Sequence, residues 1–427
     1  MTTYAVPNGN RMIELKVPGD VEVTLVSNRD VPVIQDVKEA IRDAILHPVA
    51  SKRLSSLVRP GQKAAVIVTD VTRKLPEEII LPLLIEELRK GGIGDEDITF
   101  IVATGTHRPN TTEEMAAKFG PDLVRRFRFI NHNAWEPQGL KNMGTSRRGI
   151  PLIVNREAAE ADVRISTGVI ETHLFAGYSG GVKSLAVGVA GEATIAATHN
   201  YEMIRNGRLG IIENNPFREF LTEAASAVGL DFIVNCVQTG KKELVQVVAG
   251  HPVAAFEEGV STARSMVEVE LEHPGDILVT GVSSPKNRDL YQATRAANTS
   301  VFGPRPAVTK GGVLLIPATC EDGFGKPGYV DWMSRCNSAE EIIRSACDGF
   351  APGDQKALIL GWILNQARIV MTDCMIPAGE LSRIHLESAP TLQQAFDLEL
   401  KRRPHARVVI IPDALLSLPI VREADLS

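Results

Sequence analysis

The sequence predicts an α/β protein of two domains, with largely parallel sheets and the active site in the cleft between them. Three features of the chain predict it. Apolar, β-branched runs end repeatedly in polar loops followed by helical spacing. KAAVIVT (63–69) runs into DVTRKLP (70–76), ITFIVA (98–103) into TGTHRPNT (104–111), and the run from Val163 into a glycine-rich turn after Thr167. The pattern restarts with DILVTGV (276–282), GGVLLIPA (311–318) and RIVMTD (368–373). Finally, 427 residues exceed the roughly 100–200 that one hydrophobic core usually serves.

In chain order, MIELKV and VEVTLV alternate loosely within 11–35 as short strands, and Val37 to Leu57 has helical spacing. The strand 63–69 is followed by a helix from Pro76 to Gly91 and then by the strand 98–103. Beyond Asn200 come the strand LDFIVNCV (230–237) and a helix from Pro252 to Val267 leading into the second unit. Helices are expected there across LYQATRAA (290–297), Ser338–Gly349 and Gln355–Ala367, and RVVIIPDA (407–414) closes the chain as a strand. The expected domains are thus 1–268 and 269–404, with 405–427 a terminal strand able to return to the N-terminal domain. In open parallel sheets the functional crevice lies at the carboxyl ends of the strands. If these strands are parallel, the loops carrying Arg73, His107 and His173 converge despite their separation in sequence.

Composition excludes several classes. The net charge is −6, and no basic stripe with interleaved aromatics suggests a nucleic-acid surface. No apolar run approaches ~18 residues, and the N-terminus lacks a charged segment followed by an apolar one. Neither membrane insertion nor secretion is expected. The five cysteines, Cys236, Cys320, Cys336, Cys347 and Cys374, form no CxxC and imply reduced thiols in a cytoplasm.

The chemistry concentrates between Val163 and Asn200. A strand there gives way to Glu171, Thr172, His173, Gly177, Ser179, Gly180 and Gly181, and Lys183-Ser184 opens an apolar segment of helical spacing. A strand, a glycine-rich turn and a helix N-terminus form an anion cradle, because free N–H groups and the helix dipole favour phosphate. GYSGGVKS resembles a phosphate-binding P-loop, but Val182 stands where that motif needs glycine before the lysine. A nucleotide triphosphatase or phosphotransferase is therefore disfavoured, and a phosphate-bearing cofactor is not. Glycines alone would mean only a tight turn beside a solvated lysine. Flanking His173 and His199 make that bland reading the weaker one.

Six histidines (His47, His132, His251, His273, His385 and His405) read as satisfied core or surface residues. His107 in GTHR, His173 and His199 each border a strand end or the cradle. Their spacing matches no HExxH or HxH pattern, so general base and metal ligand both remain open for neutral imidazole. A zinc-dependent hydrolase using His107, His173 and His199 is the alternative reading of the chain's function. A non-catalytic binding protein fits the convergent histidines least.

Five blocks occur in one order: DVTR (70–73), GTHR (105–108), THLFAGYSGGVKS (172–184), GEATIAATHN (191–200) and LYQATR (290–295). In them the chain resembles the nickel-pincer lactate racemase family, over nearly its whole length. The resemblance implies racemisation or epimerisation of a 2-hydroxy acid by hydride transfer, through a transient 2-keto acid. It implies a nickel-pincer pyridinium mononucleotide covalently attached at Lys183, with His199 as the protein ligand to nickel. By position, Asp70, Thr72, Ser179, Gly180 and Gly181 join them around the cofactor, and Asp70 supports Arg73. His107 and His173 correspond to the acid/base pair; Arg73, Tyr291 and Gln292 correspond to substrate contacts. Cofactor-assembly enzymes are the implied partners.

The chain departs from the family in two places. Arg295 follows the YQ motif where lactate racemases place a lysine, and a planar fork differs from an ammonium in reach and geometry. Asp354-Gln355 is followed by Lys356 instead of an aromatic residue. Lys286 and Arg288 add charge nearby, although a solvated loop explains them better. Both departures suggest a 2-hydroxy acid larger or more polar than lactate.

Overall fold

The computed structural model describes residues 1–351 and 353–422. They form two compact units. A central unit comprises Asp30–His199 and Ile212–Met266; a terminal unit comprises Met1–Arg29, Asn200–Ile211 and the chain from Val267 onward.

The central unit is built on a six-stranded sheet among the described residues. Its order is Leu244–Gly250, Phe232–Gln238, Val163–Ile170, Ala64–Thr69, Ile98–Ala103 and Arg128–Asn131. All neighbours are parallel except the edge strand Leu244–Gly250. Ala64–Thr69 is buried at every position, as expected of a central strand covered on both faces. The next helix, Glu77–Lys90, has Glu77 and Glu78 in its first turn and Arg89 and Lys90 in its last, matching its dipole. Ile80, Leu81, Leu84 and Leu88 on that helix meet Val66, Val68, Phe100 and Val102 in the main core.

The helix expected over Val37–Leu57 is shorter. It runs over Val37–Leu46, and a single turn follows at Leu54–Leu57. Pro48 cannot donate to an advancing helix and biases His47 away from helical geometry. Val49 then donates to Ala249 O at 2.8 Å, which ties the segment to the edge strand.

The terminal unit contains a second six-stranded sheet among the described residues, parallel throughout. Its order is Glu387–Ala389, Ala367–Thr372, Val308–Pro317, Gly275–Thr280, Val408–Ile411 and Val23–Leu25. The expected first domain, 1–268, is therefore divided. Thr2–Gly9 and Arg11–Val17 form a hairpin whose buried Val6, Leu15 and Val17 share one core with Ile277, Val313 and Phe396. The closing strand, able in the sequence reading to return to the N-terminal domain, does reach a segment of that expected domain near the start of the chain. Val408–Ile411 lies between Gly275–Thr280 and Val23–Leu25, where its four buried residues are covered on both faces. Residues 423–427 of that expected segment lie outside the described residues. No helix among the described residues is long and apolar enough to cross a membrane.

Candidate active site

The central sheet places the site by its topology. From Ala64–Thr69 the chain adds strands on one side, then returns with Val163–Ile170 on the other. The carboxyl ends of these two strands form the topological switch point, where connecting loops part and leave a crevice. A cavity of about 220 Å³ opens there. Asp70, Arg73, His107, Gly168, Ser179, Gly180, Lys183, Ser184 and His199 contribute to its lining. The parallel pairing on which convergence depended is present, and Arg73 and His107 reach one place from separate loops, whereas His173 is not among the residues lining the cavity.

One buried carboxylate fixes the floor of that crevice. Glu77 is fully buried and accepts hydrogen bonds from Thr69 N at 2.9 Å, Thr69 Oγ1 at 3.0 Å and Thr167 Oγ1 at 2.5 Å. Lys118 pairs with it at 3.0 Å and also donates to Arg73 O at 2.6 Å. A single side chain thus clamps both strand ends and, through Lys118, the loop bearing Arg73. Nothing in the motif reading singled Glu77 out, because its position was that of an ordinary first-turn acid.

Asp70 is buried and holds His107, whose Nδ1 lies 2.6 Å from Asp70 Oδ2, while Thr72 donates its hydroxyl to Asp70 Oδ1 at 2.6 Å. Burial raises the pKa of this carboxyl, but the hydrogen bonds from His107 and Thr72 outweigh it and hold Asp70 below its usual value. An ionised acceptor on Nδ1 places the neutral imidazole's proton there and leaves the Nε2 lone pair available. Asp70 therefore supports His107, whereas the expectation had it supporting Arg73. Thr72 acts through Asp70 and does not line the cavity.

His173 and Gly177 face each other in a two-strand hairpin, Thr172–His173 with Gly177–Tyr178. His173 Nδ1 accepts from Phe175 N at 3.3 Å and Ala176 N at 3.2 Å. Its neutral proton consequently sits on Nε2, the reverse of His107. Desolvation, then the cations Lys183 and Arg73, push its pKa well down. The hairpin itself is gripped by Arg218, buried on the helix Pro216–Val228, which donates to Ala176 O at 3.1 Å and to Tyr178 O and stacks on Phe256. Phe217 beside it lies against both the His199 and His173 rings. Arg218 and Phe217 carry no motif signal, and sequence reasoning missed them.

His199 closes the helix Glu192–Thr198. Its Nδ1 donates to Ile195 O at 2.9 Å, which leaves Nε2 as a neutral donor atom of the kind metal ions take. Burial first, and Lys183 second, lower its pKa to about 4, although the Ile195 bond opposes them. Lys183 lines the same cavity. Desolvation, then Arg73 and Arg218, bring its amine down to about 7.

Two expectations about the glycine loop change. The segment after Lys183 is one wide turn, Ser184–Gly188, so no extended helix points its dipole at the cradle. Gly181 faces away from the cavity lining: its N–H donates to Asn235 Oδ1 at 2.6 Å, and a Cβ there would meet the Phe256 ring at 2.8 Å. Gly180, at φ +82°, does line the cavity. His132 is a satisfied core residue, bonded to Ala190 O at 2.9 Å. His107, His173 and His199 do not meet as a ligand set, since no group of three His, Cys, Asp or Glu side chains among the described residues is arranged to hold a metal.

Tyr291, Gln292 and Arg295 belong to the terminal unit. Tyr291 and Gln292 lie on the turn Leu290–Ala293, and Arg295 begins the helix Arg295–Val301 with its Nη1 at 3.2 Å from Gln292 Oε1.

Comparison with known proteins agrees with this architecture. The family described as "Lactate racemase N-terminal domain" matches residues 8–210, and "Lactate racemase C-terminal domain" matches 270–418. The lactate racemase of Thermoanaerobacterium thermosaccharolyticum is 31% identical over 394 residues, covering 90% of this chain and 91% of that protein. That of Lactiplantibacillus plantarum is 30% identical over 385 residues, covering 88% and 90%. The solved lactate racemase apoprotein from T. thermosaccharolyticum superposes with a TM-score of 0.86 at 29% identity, over 99% of this chain and 100% of that one. A Thermotoga maritima protein shares the fold at a TM-score of 0.64 and 19% identity, over 90% and 98%.

Proposed function

The chain belongs to the lactate racemase family of isomerases, and from that premise we propose a specific reaction for it. Membership implies racemisation of a lactate-like 2-hydroxy acid. We propose that C2 is inverted by hydride transfer to and from a lysine-tethered nickel-pincer pyridinium nucleotide, through a transient 2-keto acid. The observation that carries this reading is one cavity containing a base-ready histidine, an amine of lowered pKa and an imidazole with a free Nε2.

The residues fit such a group by the chemistry of their donors. Lys183 would hold it covalently, since an amine lowered to about 7 is largely unprotonated just above neutrality and can be acylated. His199 would bind nickel through Nε2. Bound there, the nucleotide supplies a hydride acceptor and donor, which avoids abstracting a weakly acidic α-hydrogen as a proton. His107 takes the hydroxyl proton on Nε2, with Asp70 stabilising the imidazolium that forms. His173 is its proposed acid/base counterpart on the other side of the substrate. In the resting arrangement it presents Nε2–H, so accepting a proton there requires breaking its two backbone bonds. Arg73 grips the carboxylate as a bidentate fork, with Tyr291, Gln292 and Arg295 as further substrate contacts.

Arg295 and Lys356 support an acid larger or more polar than lactate. Cofactor-assembly enzymes are the proposed partners, and reduced cysteines support a cytoplasmic setting. The test is intact-protein mass spectrometry after production with the assembly enzymes, followed by inversion assays on lactate, malate, 2-hydroxyglutarate, an aldonate and phenyllactate. An added mass that disappears in Lys183→Ala is expected. An adduct retained by that variant refutes the anchor, and a highest kcat/KM on lactate refutes the polar substrate.

A further inference from the structure

The terminal unit has a cavity of its own. It measures about 270 Å³, is lined wholly by residues of that unit, and shares none of them with the catalytic cavity. Arg205 and Arg208 line it from the segment Asn200–Ile211, Phe302 from just beyond the helix Arg295–Val301, and Trp362 from the helix Gln355–Gln366. These parts are fixed to one another. Leu209 N donates to Phe302 O at 2.8 Å, and the Trp362 ring meets Phe302 edge-on, with centroids 6.0 Å apart.

Its charge is one-sided. Among the described residues that line it, two carry guanidiniums and none is acidic. Arg208 is half-buried, and its Nη1 donates to Gly207 O at 2.8 Å and Arg205 O at 3.3 Å. No carboxylate pairs with it among the described residues, and desolvation lowers its pKa. Two carbonyls occupy one nitrogen of a five-donor fork and leave the charge uncompensated, a cost that an incoming anion would offset. Arg205 pairs with the exposed Glu202 at 3.1 Å, a surface contact that a ligand readily replaces. Two cations suit a phosphate monoester, which carries close to two charges at neutral pH, better than a carboxylate. Beside them Trp362 offers a platform for a flat ring. Gln366 spends its Nε2 on Val308 O at 3.0 Å, which leaves Oε1 to accept from a ring amino group. Ligand pockets begin at roughly 300 Å³, so the space suits a single ring system and no dinucleotide. We propose that this cavity binds a nucleoside monophosphate, with its phosphate on Arg205 and Arg208 and its base against Trp362. The proposal is independent of the racemase reading and of the nucleotide proposed at Lys183.

Titration calorimetry of the full-length apoprotein with adenosine monophosphate makes the test. One molecule should bind per chain, and adenosine, inorganic phosphate and benzoate should each bind at least about tenfold more weakly. Arg208→Gln and Trp362→Leu should each weaken the nucleotide at least about tenfold, and Trp362→Leu should leave inorganic phosphate unchanged. Should Arg208→Gln fail to fold, as judged by its melting temperature, Arg205→Gln takes its place with the same expected direction. The catalytic cavity is the competing location for a mononucleotide, so Lys183→Ala is titrated in parallel and should bind as the wild type does. Binding lost in Lys183→Ala but retained in the arginine variants overturns the proposal. So does inorganic phosphate binding as tightly as the nucleotide, since the indole then contributes nothing. Absence of nucleotide binding by the wild type at millimolar concentration overturns it as well. None of these results bears on whether the enzyme inverts a 2-hydroxy acid.

Discussion

At Asp70 two influences oppose each other, and the outcome sets the character of His107. Burial alone would favour a neutral carboxyl, yet hydrogen bonds from His107 and Thr72 keep it ionised. An amide cannot stabilise the imidazolium and allows the wrong tautomer. Asp70→Asn should therefore lower kcat about 10²–10⁴-fold, with a much smaller effect on KM, as measured by steady-state kinetics in both directions. A loss below tenfold would show that His107 does not depend on this partner. His107, His173 and His199 stood out in the sequence as candidates because each sits at a strand end or beside a glycine loop. Their tautomers were not legible there, since the partners of His173 are backbone N–H groups and that of His199 is a carbonyl. Arg218 was invisible for a related reason: it grips peptide oxygens from a helix far away in sequence.

Elements show where periodicity suffices and where it does not. The buried strands Ala64–Thr69, Ile98–Ala103 and Phe232–Gln238 fall close to their expected bounds, because continuous β-branched runs between polar loops admit few alternatives. The hairpin at Thr2–Gly9 escaped notice, since Pro7 and Asn8-Gly9 obscure its alternation; Gly9, at φ +67°, supplies the turn. The tie between the two strands flanking the crevice escaped it too, for Glu77 acts across sequence. Removing its carboxylate leaves the half-buried Lys118 without this counter-charge, and the Thr69 N–H and hydroxyl without the acceptor they share. Glu77→Ala should cost about 3–5 kcal/mol in chemical denaturation, the range for breaking a buried ion pair. A cost under 1 kcal/mol would show that the clamp contributes little.

The whole molecule records the strain of its site in its response to pH. The amine of Lys183 is lowered to about 7 in the folded protein from 10.5. Between these values the unfolded chain binds a proton that the folded chain lacks, so this group's contribution to stability rises with pH. Below about 7 both states are charged and the folded state bears the full desolvation cost. Thermal unfolding of the apoprotein should accordingly show Lys183→Met more stable than wild type at pH 7, with the gap narrowing towards pH 10. A constant gap would remove the desolvated amine. The two-unit division was legible from length and from the restart of strand–loop–helix pattern. Its actual membership was not, because pairing between the chain's beginning and end leaves no local trace.

That pairing has a bearing on how the protein emerges during synthesis. Val23 pairs with Val408, and Val409 and Ile410 complete the register with Thr24 and Leu25. Among the described residues, the strand Val23–Leu25 has no other neighbour in its sheet. It leaves the ribosome long before its partner strand Val408–Ile411 does. The six strands of the central sheet, all between Ala64 and Gly250, are complete long before then. The nascent chain thus carries an unpaired strand edge for most of its translation, the kind of exposed surface that chaperones cover.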